Sequence, residues 1–309
     1  MSDLLSVVER ASQSNILLAR GLSCEEPDRR PGPGGERASR RGRRALVTAG
    51  QELSDYARWV LEAPLPEHQT PPTGSYFICS GQRSGTWLLS GLLDGTGVAG
   101  HPHEFFEPGT EQANRRRWRV GAGFGEYLAA VFGVGTTENG VFASSVMWPS
   151  LVSLLKRLRG PGAAVEGDRL LVERFFPQPR YVFLWREDVV AQAVSWARAV
   201  QTGYYHHWDR PVGKATFELD QIDALVREAS ANSASWRRWF AENEIEPFVV
   251  RFEDLVENKE PVTRSVLAFL EIELPSNARI AARTIQAGDF VNAEWIARYK
   301  RSQGKEEGR

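Results

Sequence analysis

The strongest constraint on the fold is a short apolar run that leads directly into a glycine-containing loop. Residues Tyr76–Ser80 form the run, and Gly81–Trp87 follow it without a break. A continuous apolar segment of this length is typical of a strand buried on both faces. An apolar helix is predicted to follow through Leu93, where Gly95 and Gly97 end it. Backbone N–H groups and the positive end of the helix dipole converge in such a connection, which therefore predicts an anion-binding loop.

Strand-like runs alternate with helix-like segments through the rest of the chain. Three further strands are predicted, at Val141–Trp148, Tyr181–Trp185 and Phe248–Phe252. The other helices are predicted at Leu151–Leu158, Glu187–Gln201, Leu219–Glu242 and Val262–Leu270. This alternation places helices on both faces of a sheet and ligands at the carboxyl ends of its strands. We therefore predict a three-layer α/β fold with a central, mostly parallel sheet and a P-loop-like phosphate-binding loop after the first strand of the core domain.

The first 73 residues differ in composition from the rest of the chain. Residues 25–44 contain seven Arg, four Gly and three Pro with almost no apolar side chains, which is typical of a linker. Short helices are predicted on either side of this linker. We predict an N-terminal extension over residues 1–73, a core domain over 74–303 and a polar tail over 304–309. The sequence leaves open whether the extension belongs to the domain, regulates it or docks a partner.

Charge and composition disfavour several classes of protein. The chain has 38 Lys and Arg against 39 Asp and Glu, and the resulting net charge of −1 disfavours a nucleic-acid partner. Two cysteines are too few for a disulfide framework or a cysteine-rich zinc site. No apolar run approaches the ~20 residues that span a bilayer, and the N-terminus lacks a signal-peptide pattern. These features predict a cytoplasmic protein without a membrane span.

The glycine-containing loop departs from the sequence that nucleotide hydrolases use. A Walker A motif places Lys and then Ser or Thr after its last glycine, where they hold the terminal phosphates and Mg²⁺. Here Thr86 and Trp87 follow Gly85. A nucleotide-dependent kinase of P-loop-like fold is therefore kept only as an alternative, together with a non-catalytic protein that binds a nucleotide or a partner.

Several short motifs occur in a fixed order and together resemble one family. They are Gln82-Arg-Ser-Gly-Thr86, the GVAGHPHEFF run at Gly97–Phe106, the REDVVAQAVS run at Arg186–Ser195, and Gln201-Thr202. This combination resembles the bacterial trehalose 2-sulfotransferase-like family, whose members use 3′-phosphoadenosine 5′-phosphosulfate (PAPS) as donor. The resemblance covers about residues 75–300 and implies a homodimer.

The resemblance also implies where the donor binds. It assigns the 5′-phosphosulfate end to the loop residues Arg83, Ser84, Gly85, Thr86 and Trp87. Fixed donors at this place stabilise the negative charge that grows on the phosphate as the sulfuryl group leaves, which gives Arg83 a catalytic role. No metal is required if arginine and backbone dipoles neutralise that charge.

The resemblance assigns the 3′-phosphate of the donor to Arg186 and Ser195. A guanidinium can donate two hydrogen bonds to a phosphate, and a serine hydroxyl adds a third. The alternative is that Arg186 only pairs with a carboxylate such as Asp188.

A carboxylate follows the first helix at the position where the family has its proposed general base. This residue is Glu104, which could accept the proton of an attacking hydroxyl. His101 and His103 are alternative bases, because imidazole titrates closer to neutrality, and both are candidate substrate-binding residues. Tyr204 and Trp208 belong to an aromatic cluster that could line the acceptor pocket or simply pack a loop.

The predicted function is transfer of a sulfuryl group from PAPS to a hydroxyl of a carbohydrate or glycosylated small metabolite, in line, with Glu104 as general base. Two departures from the family concern the acceptor. His101 stands where an acidic residue is common, and Ser145 stands where a lysine is expected before the Met147-Trp148 pair. Both positions lie near the acceptor or the sulfuryl group in the family, so trehalose itself is a doubtful acceptor.

Overall fold

The computed structural model describes residues 55–67, 70–160, 167–206, 209, 211–274, 280 and 290–306. Its centre is a parallel sheet of four strands in the order β2-β1-β3-β4. The strands are β1 (Gly74–Ser80), β2 (Val141–Met147), β3 (Pro179–Trp185) and β4 (Phe248–Arg251). All four strands predicted from the sequence are present, and the predicted three-layer α/β fold with a parallel sheet is confirmed.

Helices connect the strands and cover the sheet. They are α1 (Asp55–Glu62), α2 (Thr86–Asp94), α3 (Pro108–Trp118), α4 (Phe124–Gly135), α5 (Trp148–Arg159), α6 (Asp168–Phe175), α7 (Val189–Thr202), α8 (Leu219–Glu242), α9 (Phe252–Glu257), α10 (Lys259–Phe269) and α11 (Phe290–Glu306).

Two predicted strand ends are instead the first residues of helices. Trp148 begins α5 because Pro149, in the first turn, has its φ angle preset for a helix and needs no hydrogen-bond partner for its nitrogen. Phe252 begins α9, where the Arg251 guanidinium Nε donates to Asp254 Oδ2 at 3.1 Å and so braces the first turn. Each strand therefore ends one residue earlier than predicted.

The alternation of side chains along β1 produces the three layers. Phe77 and Cys79 face one side of the sheet, where they join a core built with α4, α5 and α8. Tyr76 and Ile78 face the other side and pack with α2, α9 and α10. Because both faces of the strand are covered, its sequence is apolar without a break from Tyr76 to Cys79.

The described residues fall into two compact units. One contains Leu53–Ala197 and Phe217–Arg309, and therefore the whole sheet and α1. Among the described residues, the other contains 198–206, 209 and 211–216, where the Gln201 amide exchanges hydrogen bonds of 3.0 and 2.7 Å with the Thr216 backbone. The predicted linker over 25–44 lies outside the described residues. The predicted tail over 304–309 begins inside α11, which ends at Glu306.

Candidate active site

The site begins in the loop between β1 and α2, residues Gly81–Gly85. Gly85 precedes α2 with φ 89°, a left-handed conformation that favours glycine. A Cβ atom there would overlap the ring of Phe252, so the loop also depends on the absence of a side chain. The helix that follows points its N-terminus into the loop, as the sequence predicts.

Four side chains fix this loop and its two ends. The Gln192 amide of α7 donates to the Gln82 carbonyl at 2.6 Å and to Ser84 Oγ at 3.1 Å. The Trp236 indole of α8 donates to the Ser80 carbonyl at 3.0 Å. The Ser80 and Thr86 hydroxyls are 2.7 Å apart, which ties the end of β1 to the start of α2. The loop is therefore held in shape before any ligand binds.

Arg83, Arg186 and Ser195 come together although they are far apart in sequence. Arg83 Nε donates to Ser195 Oγ at 3.1 Å, and Arg186 Nη1 donates to the Arg83 carbonyl at 3.4 Å. Arg186 directly follows β3, so the parallel sheet brings it to the edge where β1 ends, and Ser195 reaches Arg83 from within α7. The donor-binding residues predicted at two separate motifs thus form one cluster.

Arg186 is a partly buried cation with no ion-pair partner within 4.0 Å among the residues that the structure describes. Its Nε is buried and lacks a hydrogen-bond partner there. Burial lowers the pKa of the guanidinium, while Glu253 and Asp188 act in the opposite direction. The guanidinium carbon lies 4.6 Å from the centre of the Phe252 ring.

The carboxylates around Arg186 are occupied elsewhere. Asp188 Oδ1 accepts a hydrogen bond from the Ala191 N–H at 2.8 Å and so caps α7. The Glu253 carboxylate accepts from the N–H groups of Glu187 and Asp188 at 3.2 and 3.3 Å. The alternative that Arg186 forms a direct structural ion pair with Asp188 is therefore not what the structure shows, and Arg186 remains available to an anion.

Glu104 lies on the segment His101–Glu107, which connects α2 to α3. Burial and the neighbouring Glu107 carboxylate raise the pKa of Glu104 from 4.5 to about 7, and the Arg83 guanidinium lowers it in part. This carboxyl group is thus close enough to Arg83 to interact with it, and it titrates near neutrality. Both properties suit a general base beside a bound anion.

The segment around Glu104 is held by hydrogen bonds to strand β2 and to helix α4. The His103 carbonyl accepts from the Ser145 N–H at 2.9 Å and from Ser144 Oγ at 3.0 Å. The Phe105 carbonyl accepts from the Tyr127 hydroxyl at 2.6 Å. Bonds on both sides of Glu104 fix its backbone.

The two histidines have surroundings that the sequence does not reveal. His101 Nδ1 is 2.7 Å from Asp94 Oδ1, and the His101 ring stacks on Trp59 at 4.8 Å between ring centres. The His103 ring meets the edge of Phe105 at 5.3 Å. Ser145 contributes a hydroxyl 2.9 Å from Ser90 Oγ instead of a charged group.

The two aromatic candidates, Tyr204 and Trp208, follow α7 in the sequence. Tyr204 belongs to the unit of residues 198–216, where its N–H donates to Thr202 Oγ1 at 3.3 Å. Trp208 lies outside the described residues. Their assignment to an acceptor pocket stays a prediction.

Four residues at the site escaped the reasoning from sequence. Gln192 is part of the Arg186–Ser195 motif, but nothing in the pattern shows that its amide faces the loop. Phe252 contacts the loop from the far end of the chain, and Tyr56 and Trp59 come from α1. Only the three-residue spacing of Tyr56 and Trp59 on a predicted helix could have suggested a shared face.

Comparison with known proteins decides the family. The model of the Stf0 sulphotransferase family matches residues 75–302, which is more than half of the chain. The chain belongs to the Stf0 sulphotransferase family. It is 30% identical over 259 residues to a trehalose 2-sulfotransferase of Mycolicibacterium smegmatis, covering 74% of this chain and 94% of that protein. It is 29% identical over 254 residues to a trehalose 2-sulfotransferase of Mycobacterium tuberculosis, covering 73% and 94%.

Two solved structures also resemble the chain. A sulfotransferase from Alicyclobacillus acidocaldarius has a TM-score of 0.43 at 17% identity and covers 75% of this chain and 92% of its own. The sulfotransferase domain of the Synechococcus PCC 7002 olefin synthase has a TM-score of 0.40 at 16% identity, covering 74% and 85%.

Membership of the Stf0 family makes this chain an enzyme, a sulfotransferase, as predicted. It sets aside the kinase and the non-catalytic binding protein. In the described part of the chain, no three His, Cys, Asp or Glu residues are grouped so that they could hold a metal ion. None of the described helices is long and apolar enough to cross a membrane.

Proposed function

We propose that this Stf0 sulfotransferase transfers the sulfuryl group of PAPS to a hydroxyl of a carbohydrate or glycosylated small metabolite. The observation that carries the proposal is the cluster of Arg83, Arg186 and Ser195, with the Glu104 carboxyl group near enough to Arg83 for their charges to interact. An anion-binding loop and a base that titrates near neutrality are the two parts that such a transfer requires.

The residues present fit PAPS as donor. The Gly81–Gly85 loop and the start of α2 present N–H groups to the 5′-phosphosulfate, with Arg83, Ser84, Thr86 and Trp87 around it. Arg186 and Ser195 hold the 3′-phosphate, and the partnerless Nε of Arg186 is a donor that this phosphate satisfies. PAPS, when bound, supplies the sulfuryl group and a phosphate leaving group.

Arg83 and Glu104 have different roles in the transfer. Arg83 and the loop N–H groups stabilise the negative charge that grows on the phosphate side, where fixed donors lower the barrier. Glu104 accepts the proton of the acceptor hydroxyl while the oxygen of that hydroxyl attacks the sulfur atom. With a pKa of about 7, Glu104 is partly ionised at neutral pH and strong enough as a base to accept that proton.

The sugar class of the acceptor follows from the relatives, which are trehalose 2-sulfotransferases. The acceptor side of this chain differs from the family pattern at His101 and Ser145. Here His101 is bound to Asp94, and Ser145 to Ser90. We infer an acceptor other than trehalose, because the groups that the family resemblance implies at both positions are replaced.

The test is transfer of the label from ³⁵S-labelled PAPS to a panel of mono- and disaccharides and aryl glycosides, with trehalose among them. We expect labelled sugar with at least one acceptor, weaker labelling of trehalose, and no loss of activity in EDTA. If the protein binds PAPS but labels none of these acceptors, the proposal that the acceptor is a sugar is refuted. If EDTA abolishes the labelling, the transfer needs a metal ion, and the account in which Arg83 and backbone N–H groups alone neutralise the phosphate charge is refuted.

Two finer expectations remain predictions. The family resemblance implies a homodimer, which light scattering on the purified protein measures directly. Residence in the cytoplasm follows only from the sequence features above, and fractionation of cells tests it.

A further inference from the structure

In the sequence, helix α1 precedes the region that the family model matches, which starts at residue 75. It nevertheless packs on the segment that carries Glu104. A helix outside the matched region thus lies against the segment that carries the base of the proposed function.

Tyr56 provides the first contact. Its side chain is only 1% exposed, and its hydroxyl donates to the Pro102 carbonyl, two residues before Glu104. Its ring lies 4.6 Å from that of Trp87, at the start of α2. Burial raises the pKa of the Tyr56 hydroxyl far above 10, and Asp94 and Glu104 add to this effect, so the hydroxyl stays a hydrogen-bond donor at any pH of interest.

Trp59 provides the second contact, one helical turn further on. Its ring stacks on His101 at 4.8 Å, with an angle of 25° between the planes. The rings of His103 and Phe105 meet it edge-on at 6.2 and 6.4 Å. Trp59 therefore contacts residues on both sides of Glu104 in the sequence, and it is itself only half-buried.

The other end of α1 is anchored independently of the site. The Val60 carbonyl accepts from Arg117 Nη1 at 2.8 Å, and the Ala63 carbonyl accepts from the Trp118 indole at 3.1 Å. Because α3 holds these two groups, the position of the Tyr56 and Trp59 rings is fixed by the body of the domain.

We propose that α1 is the acceptor-side support of the active site, with Tyr56 and Trp59 as positioning residues that hold the His101–Glu107 segment. This inference rests on the proposed function, in which Glu104 takes the acceptor proton. Trp59 acts on use of the acceptor and leaves binding of the donor unchanged, since its ring packs on His101, His103 and Phe105, while Gln192 and Trp236 fix the donor loop. Tyr56 also contacts Trp87 of the donor site through its ring, which Tyr56→Phe retains.

The test compares Trp59→Ala with Trp59→Phe and Arg58→Ala in the full chain. Arg58 is the neighbouring exposed residue of the same helix and serves as the control.

The assay uses the sugar from the panel that the wild type sulfates best, and titration calorimetry measures the affinity for 3′-phosphoadenosine 5′-phosphate (PAP). We expect Trp59→Ala to lower kcat/KM for the sugar about tenfold or more, because even a small displacement of a catalytic group lowers the reaction rate strongly. Affinity for PAP stays within about twofold, Trp59→Phe recovers most of the rate, and Arg58→Ala matches the wild type.

Wild-type kcat/KM in Trp59→Ala would overturn the inference, as would an equal loss of PAP affinity. Tyr56→Phe removes one hydrogen bond without removing the ring, so it tests the inference even if Trp59→Ala fails to fold. A reduced kcat/KM with unchanged PAP affinity supports the inference, and wild-type kinetics overturn it.

Hydrogen exchange separates this inference from the proposed function. The His101 N–H donates to the Gly135 carbonyl and the Phe105 N–H to the His103 carbonyl, both at about 3 Å. We expect faster exchange of these two amides in Trp59→Ala, with unchanged exchange in residues 75–85, and unchanged exchange of the two amides overturns the inference. A wild-type protein that transfers to no sugar refutes only the proposed function, since exchange needs no acceptor.

Discussion

Glu104→Gln is the substitution that separates the chemistry of the base from the shape of the site. Glutamine has nearly the same size as glutamate but cannot accept the proton. General-base catalysis contributes about 10²- to 10⁴-fold in rate, so turnover falls by that order. Affinity for PAP changes little, because the donor contacts lie on the Gly81–Gly85 loop, Arg186 and Ser195. The assay is steady-state sulfation of the best sugar, beside calorimetry with PAP.

The same substitution has a pH-dependent effect on stability. Burial and Glu107 raise the pKa of Glu104 from 4.5 to about 7, so the folded protein binds this proton more tightly than the unfolded chain does. The stabilisation from this proton is complete below about pH 4.5 and is lost as the pH rises towards 7. At about 1.4 kcal/mol for each pH unit, the loss amounts to about 3 kcal/mol.

Glutamine does not ionise and therefore loses nothing over this range. We expect the free energy of unfolding of Glu104→Gln, relative to the wild type, to rise by about 2–3 kcal/mol between about pH 4.5 and pH 8. Urea unfolding at both pH values measures this difference. Parallel pH profiles for the two proteins would refute the burial of an ionisable Glu104, and wild-type turnover of Glu104→Gln, with His103→Asn inactive, would transfer the role of base to the histidine.

Three further substitutions test the surroundings of the site. Glu107→Gln removes a charge that raises the pKa of Glu104, so the acid limb of the pH–rate profile moves to lower pH, and an unmoved limb contradicts the coupling. Arg186→Ala weakens PAP binding about 10- to 150-fold but leaves affinity for adenosine 5′-phosphosulfate, which lacks the 3′-phosphate, unchanged in calorimetry. Gly85→Ala forces a Cβ into the Phe252 ring and destabilises the fold by about 1–3 kcal/mol in urea unfolding, whereas Gly74→Ala, with no atom within 4 Å of its new Cβ, is the neutral control.

Local patterns account for the sheet and the loop. Tyr76–Ser80 is apolar because both faces of β1 are covered, and the glycines after it allow the left-handed turn into α2. The positions of Arg83 and Arg186 follow from the rule that parallel strands end at one edge of a sheet, whereas that of Ser195 depends on the path of α7 past Arg83. Family motifs added the assignment of each residue to a part of the donor.

Tertiary contacts account for what the sequence does not reveal. The pairing of His101 with Asp94 joins a helix to a later segment, and no periodicity marks it. Phe252 reaches Gly85 across more than half of the domain, and Trp59 reaches His101 from outside the family match. Such contacts depend on how whole elements pack, so a pattern of single residues cannot predict them.

The most direct test of the central claim is the stoichiometry of one reaction. Wild-type protein is incubated with PAPS, EDTA and the best sugar of the panel, and both products are quantified by mass spectrometry. The proposed site, in which Arg83 receives the charge of the leaving phosphate and Glu104 the proton of the sugar, predicts equal amounts of PAP and sulfated sugar. Formation of PAP with free sulfate and no sulfated sugar would contradict it.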